Sequence, residues 1–170
     1  MAERARRGER SNGAASDRPE PFPSYEELAS DLLEALDEAG LSIEDVRHEL
    51  EPGAGERRFE CTVRLQPQPF VEIEAEFVLG DGGYELQELG EVAGWLDTVQ
   101  TLLGKAFPAD DRPSVHVGLA ALGGSVLVEK LTAEHSWLID FDEPPDFTAM
   151  AQQVLAALRL VPQLADRLPM

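Results

Sequence analysis

Hydrophobic positions along the chain change period several times, and each change marks an element. Tyr25, Leu28, Leu32, Leu36 and Ala39 recur at helical spacing, while Glu26, Glu27, Asp31, Glu34, Asp37 and Glu38 take much of the remainder. Ser24 with Glu27 three residues on forms a capping box, and Gly40 is a natural residue just past a helix end. The spacing predicts an amphipathic helix starting at Ser24. Two stretches then alternate with period two, Phe59 to Leu65 and Val71 to Phe77, each with one face to bury and one to wet. Between them, Gln66-Pro67-Gln68-Pro69 cannot continue a ladder. Matching faces pairs Leu65 with Val71, Val63 with Ile73 and Cys61 with Ala75, and sets Arg64 opposite Glu72.

Gly80-Asp81-Gly82-Gly83 reads as a second turn, with Tyr84 and Leu86 continuing the meander beyond it. A weaker strand pattern precedes these, from Val46 to Leu50. From Glu91 to Lys105 the helical period returns, carried by Val92, Trp95, Leu96, Val99, Leu102 and Leu103 and closed by Pro108 and a polar run to Pro113. Three short strand candidates follow, Val115–Ala121, Val126–Leu131 and Trp137–Phe141, with Gly123-Gly124 as a hairpin turn. After Pro144-Pro145, Asp146 is placed to cap a last helix lined by Phe147, Met150, Ala151, Val154, Leu155 and Leu158, which Pro162 stops or kinks.

The order is α-β(3-4)-α-β(2-3)-α. It predicts an α+β domain over residues 24–170, in which an antiparallel sheet of five to seven strands is covered on one face by about three amphipathic helices. Residues 1–23 carry Arg4, Arg6, Arg7 and Arg10 among Gly, Ser, Asn and three prolines, with Phe22 as the one large hydrophobe. Such a segment buries too little to offset its ordering entropy and is expected to be a disordered, mixed-charge tail.

Charge sharpens this picture. Fourteen Lys+Arg stand against 33 Asp+Glu in 170 residues, a formal net of −19, and the tail holds five of the basic groups and four of the acidic ones. The remaining 147 residues therefore carry a net of −20. A surface so acidic argues against nucleic acid or an anionic membrane as partner, because both need a basic footprint. With no apolar run long enough to span a bilayer and no apolar segment behind the N-terminal arginines, the expected location is the cytoplasm. One cysteine, Cys61, excludes an internal disulfide and any zinc site built on several cysteines.

Two acidic clusters are candidates for chemistry. Glu72, Glu74 and Glu76 share one face of one strand, with Glu60 expected beside them. A straight strand spaces carboxylates too widely for a calcium cage, so the row suits a basic protein partner, or is simply a solvated face. Asp140, Asp142 and Glu143 form the second cluster, with His135 and Trp137 just upstream. Two carboxylates one residue apart can act as an acid–base pair, while Asp146 and its neighbours also suit a helix N-terminus. His48, His116 and His135 show no metal-ligand spacing, and His135 alone merits a test as general base. Its plain reading is a turn or strand-start residue. Cys61 points inward with Phe59 and Val63, as a packed and inert thiol. No G-x-S-x-G elbow and no phosphate loop is present, so neither cofactor nor metal is implied.

The order of elements across residues 24–161, rather than any residue motif, resembles that of type III secretion chaperones and the related YbjN-like domains. The resemblance implies a homodimer that binds an extended segment of a client. Charge, size and the lack of a catalytic constellation favour a non-enzymatic acidic module of chaperone, inhibitor or immunity type, docking a basic or extended partner through Glu60, Glu72, Glu74 and Glu76. The alternative is a small-ligand protein or hydrolase-type enzyme using an acidic pocket near His135, Asp140 and Asp142. Mimicry of DNA by the acidic surface is a third reading, resting on charge alone.

Overall fold

The computed structural model describes residues 22–41, 49–50, 60–67, 71–143, 145–164 and 166–169. The predicted tail lies outside these apart from Phe22 and Pro23, and the strand pattern at Val46–Leu50 is described only at its last two residues.

Helix α1 spans Tyr25–Glu38. The Ser24 Oγ accepts the Glu27 N–H at 3.2 Å, and the Glu27 carboxylate accepts the Ser24 N–H at 2.7 Å, so the capping box closes in both directions. Leu28, Leu32, Ala35 and Leu36 form its buried stripe. Five strands follow: β1 (Glu49–Leu50), β2 (Glu60–Gln66), β3 (Glu72–Glu85), β4 (Ser114–Leu122) and β5 (Ser125–Leu138). They form one antiparallel sheet in the order β1-β2-β3-β5-β4. Helix α2 (Gly90–Leu103) links β3 to β4, and α3 (Phe147–Leu160) follows β5 and runs into a 3-10 turn at Val161–Leu164. The expected α+β class, with one antiparallel sheet and three amphipathic helices, is the observed one.

Three details differ from the sequence reading, each for a physical reason. β2 runs on through Gln66, which pairs with Glu72, so the register moves by two from the expected pairing. Leu65 faces Ile73, Val63 faces Ala75, Cys61 faces Phe77, and Arg64 lies opposite Glu74. A shift of two preserves which side chains face the core. The stretch Gly80–Gly83 does not reverse the chain. β3 runs through it, with register shifts at Val78/Gly80 and Asp81/Tyr84, and Gly83 takes the extra backbone at φ +75°. Glycine there lets the strand bulge and bend against an intact partner.

The third difference concerns β5. The candidates Val126–Leu131 and Trp137–Phe141 are parts of one strand that ends at Leu138, and Phe141 lies beyond it, exposed. The link, Thr132-Ala133-Glu134-His135-Ser136, lacks large hydrophobes, yet Ala133 and His135 face the core. The β4–β5 turn is as expected, with Gly123 and Gly124 at φ +61° and +90° between the paired Leu122 and Ser125.

The helices cover one face of the sheet. Val63, Leu65, Ile73, Ala75, Phe77, Val128, Leu131 and Ala133 meet α-helical side chains including Leu32, Leu36, Val99, Leu103, Met150 and Val154 in one core. Cys61 is fully buried in it, and burial, with Glu76 adding, pushes its thiol pKa well up. It is a packing residue. Leu131, on the interior strand β5, is fully buried, whereas Leu122 at the hairpin tip is exposed. Leu131→Ala is expected to cost about 2–5 kcal/mol in urea unfolding. Leu122→Ala should change stability by less than about 0.5 kcal/mol.

Candidate functional site

The two acidic clusters meet different fates in the fold. Alternation on β3 puts Glu72, Glu74 and Glu76 on the face away from the helices, and the same parity puts Arg64 of β2 and Lys130 of β5 there too. Glu76 is held by Lys130 Nζ at 2.7 Å and by Arg64 at 3.6 Å, and its side chain is only 16 % exposed. Gln66 donates to the Glu74 carboxylate. Farther along, His116 Nε2 stands 3.3 Å from Glu134. Glu60 enters the same sheet by pairing with Val78. The row is thus interleaved with cations of this chain, and the charge of Glu76 is met within the molecule.

The second cluster borders a cleft of about 370 Å³ between the end of β5 and the first turns of α3. Its floor is apolar, made by Ile73, Trp137, Ile139, Phe147 and Met150. Four carboxylates line it: Asp111, Asp140, Glu143 and Asp146. Among the described residues the lining includes no lysine or arginine. Local geometry explains each position. β5 continues to Ile139 by one more backbone bond, Ile139 N–H to the Val71 carbonyl at 3.0 Å, and then turns. In that turn the Asp142 N–H donates to Asp140 Oδ1 at 2.9 Å, which fixes Asp140 at the rim. Asp142 serves that turn and does not itself line the cleft. Asp146 caps α3 by accepting the Ala149 N–H at 2.9 Å. The Trp137 indole N–H donates to Gln153 of α3 at 3.1 Å, tying the floor to the helix.

A smaller cleft of about 240 Å³ adjoins this one. Asp31, Glu34 and Glu38 of α1 line it, together with Pro145, Asp146 and Phe147, the last three shared with the first cleft. The two clefts together make up a two-part acidic channel, lined from Asp31, Glu34 and Glu38 of α1, past Asp146 at the start of α3, to Asp111.

His135 sits behind the cleft rather than in a turn or at a strand start. It lies within β5 with its side chain only 3 % exposed, opposite Ala75, and its ring is 4.4 Å from those of both Phe107 and Trp137. Ala75 contributes only a methyl group there, which leaves room for the imidazole. The Nε2 has no hydrogen-bond partner, and the closest acid is Asp111, whose Oδ2 is 3.5 Å away. Burial holds the His135 pKa below its ordinary value, with Asp111 pulling the other way.

Of the sequence candidates, Asp140 lines the cleft and His135 backs it. Glu143, which the sequence reading placed in the second acidic cluster, lines it too; Asp111, Asp146 and Trp137 are cleft residues that the sequence reading assigned to a polar run, helix capping or a strand, and Gln153 is one it did not single out. The density of acids from Asp140 to Asp146 was a usable signal. Asp111 gave none, because only the pairing of Ser114 with Glu134 brings its loop beside His135. Among the described residues, no group of three or more His, Cys, Asp or Glu is arranged to hold a metal ion, and no helix is long and apolar enough to cross a membrane.

No protein-family model matches the chain, and no curated protein matches it. Among solved structures, the crystal structure of YbjN from E. coli, a proposed transcription regulator, aligns with 86 % of this chain and 94 % of its own at 13 % identity and a TM-score of 0.45. At that level of likeness, function has to be argued from this chain's own residues.

The buried imidazole carries a pH dependence. The unfolded chain binds the His135 proton near the ordinary pKa of 6.5, and the folded protein binds it at lower pH. Between those two pKa values the unfolded state holds more protons, so stability falls as pH falls through that window. The urea midpoint of the native protein should drop between pH 7.5 and pH 5.5. In His135→Leu the drop should be smaller, and an equal drop would assign it to other groups.

Proposed function

We propose that this protein is a binding module that captures a basic, extended protein segment in the acidic channel at the start of α3. The observation that carries the reading is the carboxylate lining of two adjoining clefts, with an apolar floor in the larger. Lysine and arginine side chains match that combination. Their aliphatic stems cover apolar surface while the charged heads reach to polar groups. Trp137 on the floor adds a ring face on which a guanidinium can stack. A single small cation would use one cleft. The adjoining pair, sharing Pro145, Asp146 and Phe147, suits consecutive side chains of an extended segment.

The net charge serves the same purpose at long range. A strongly acidic body speeds encounter with a basic segment and repels acidic competitors, an advantage that fades as salt rises. The row at Glu72, Glu74 and Glu76 is the second candidate surface for such a partner. Arg64 and Lys130 offset it, which is why the channel takes precedence.

The test uses a fluorescein-labelled peptide of alternating arginine and alanine, titrated at low salt. Asp111→Asn, Asp140→Asn and Glu143→Gln together should weaken binding about tenfold or more, since they remove three of the four carboxylates from the main cleft. Asp146 is left in place because it caps α3. Glu72→Gln with Glu74→Gln should leave the affinity within about twofold. The reverse pattern would move the docking site to the sheet face. Binding of a short aliphatic amine without binding of the peptide would favour the small-ligand alternative.

A further inference from the structure

We propose that the free protein fills this channel with its own N-terminal arginine cluster, Arg4, Arg6, Arg7 and Arg10, so that a basic partner must displace an internal competitor. The inference rests on reading the channel as a site for basic segments, and goes beyond that reading by naming a resident occupant.

Three observations carry it. The first is where the chain is delivered. The described chain begins at Phe22, whose ring centroid lies 4.4 Å from that of Phe141. Phe141 belongs to the same turn as Asp140 and Glu143, two of the cleft's carboxylates. Everything N-terminal to Phe22 therefore leaves from the rim of the cleft. Arg10 is 12 residues from that anchor. An extended chain covers about 3.3–3.6 Å per residue, so the span available is about 40 Å, ample for reaching both adjoining clefts.

The second observation is charge. Positions 4–10 hold four arginines and one glutamate, the densest positive stretch in a chain whose residues beyond 23 carry 9 basic groups against 29 acidic. The third is the buried imidazole. His135 Nε2, nine-tenths or more buried and without a hydrogen-bond partner, stands 3.5 Å from Asp111, which lines the cleft. A guanidinium bound at Asp111 enters beside that unpartnered nitrogen. Tethering at Phe22 raises the effective concentration of the cluster to about the millimolar range, so weak individual contacts suffice. A partner then binds with an apparent affinity reduced by the fraction of channels already filled.

The experiment compares the full-length protein with a full-length variant carrying Arg4→Gln, Arg6→Gln, Arg7→Gln and Arg10→Gln. Backbone amide shifts are the first readout. At low salt the substitutions should move the resonances of Asp111 and of Asp140–Glu143, and at high salt the two proteins should coincide there. Perturbations confined to residues 1–21 would overturn the proposal, whether or not any peptide binds. The second readout is affinity for the arginine–alanine peptide, expected to be about tenfold tighter for the variant. Equal affinities would reject the internal competitor while leaving the channel as the partner site. Moved cleft resonances without peptide binding to either protein would instead retain the internal contact and reject the partner reading.

Discussion

The long antiparallel pairing of β3 with β5 is the constraint on which the rest of the molecule depends. Both strands have 14 residues, and so does each of the three helices. At about 3.3 Å per strand residue and about 1.5 Å per helix residue, such strands extend about twice as far as the helices that must cover them. Bulges at Val78–Tyr84 and at Gly118/Leu119 curl part of the excess. The remainder emerges at the ends. At one end lie the exposed Leu119 and Leu122 of the β4–β5 hairpin. At the other, Trp137 and Ile139 run out under the start of α3, where they pack at the edge of the core and form the floor of a cleft.

Acidity is distributed unevenly over this frame, and that unevenness separates the two clusters. On the open sheet face, Glu76 meets Lys130 and Arg64, Glu74 meets Gln66, and Glu134 meets His116. At the hairpin tip Ser125 donates to the Glu85 carboxylate. Two of the channel's carboxylates are held by backbone instead. Asp140 accepts the Asp142 N–H and Asp146 accepts the Ala149 N–H, bonds that orient each group without neutralising its charge. Among the described residues the cleft's carboxylates thus line apolar surface with no lysine or arginine beside them, the arrangement a lysine- or arginine-bearing segment complements.

Much of this architecture was legible in the chain. Helical spacing with a capping box located α1, and period-two alternation with paired glycines located β2, the first half of β3 and the β4–β5 turn. The limits were equally physical. Gly80–Gly83 carries the composition of a turn, and only the presence of β5 alongside lets β3 pass through it as a bulge. Ala133 and His135 occupy core positions without large apolar side chains, so the middle of β5 left no hydrophobic signature. The candidate site was half legible for a related reason. Asp140 and its acidic neighbours lie close in sequence, whereas Asp111, Trp137 and Met150 come together only through strand pairing and helix docking. The offset of Glu76 by Lys130, 54 residues away, was invisible in the same way.

The central claim, that a basic extended segment docks over the floor at the end of β5, can be read from the two tryptophans. Trp137 lies in the cleft with its indole N–H on Gln153, and Trp95 is buried elsewhere, against the ring of Tyr84. Titrating ¹⁵N-labelled protein with the arginine–alanine peptide follows both indole N–H resonances at once. The account predicts that the Trp137 resonance moves progressively to saturation while that of Trp95 stays fixed. Saturable binding of the peptide with the Trp137 resonance unmoved would contradict it.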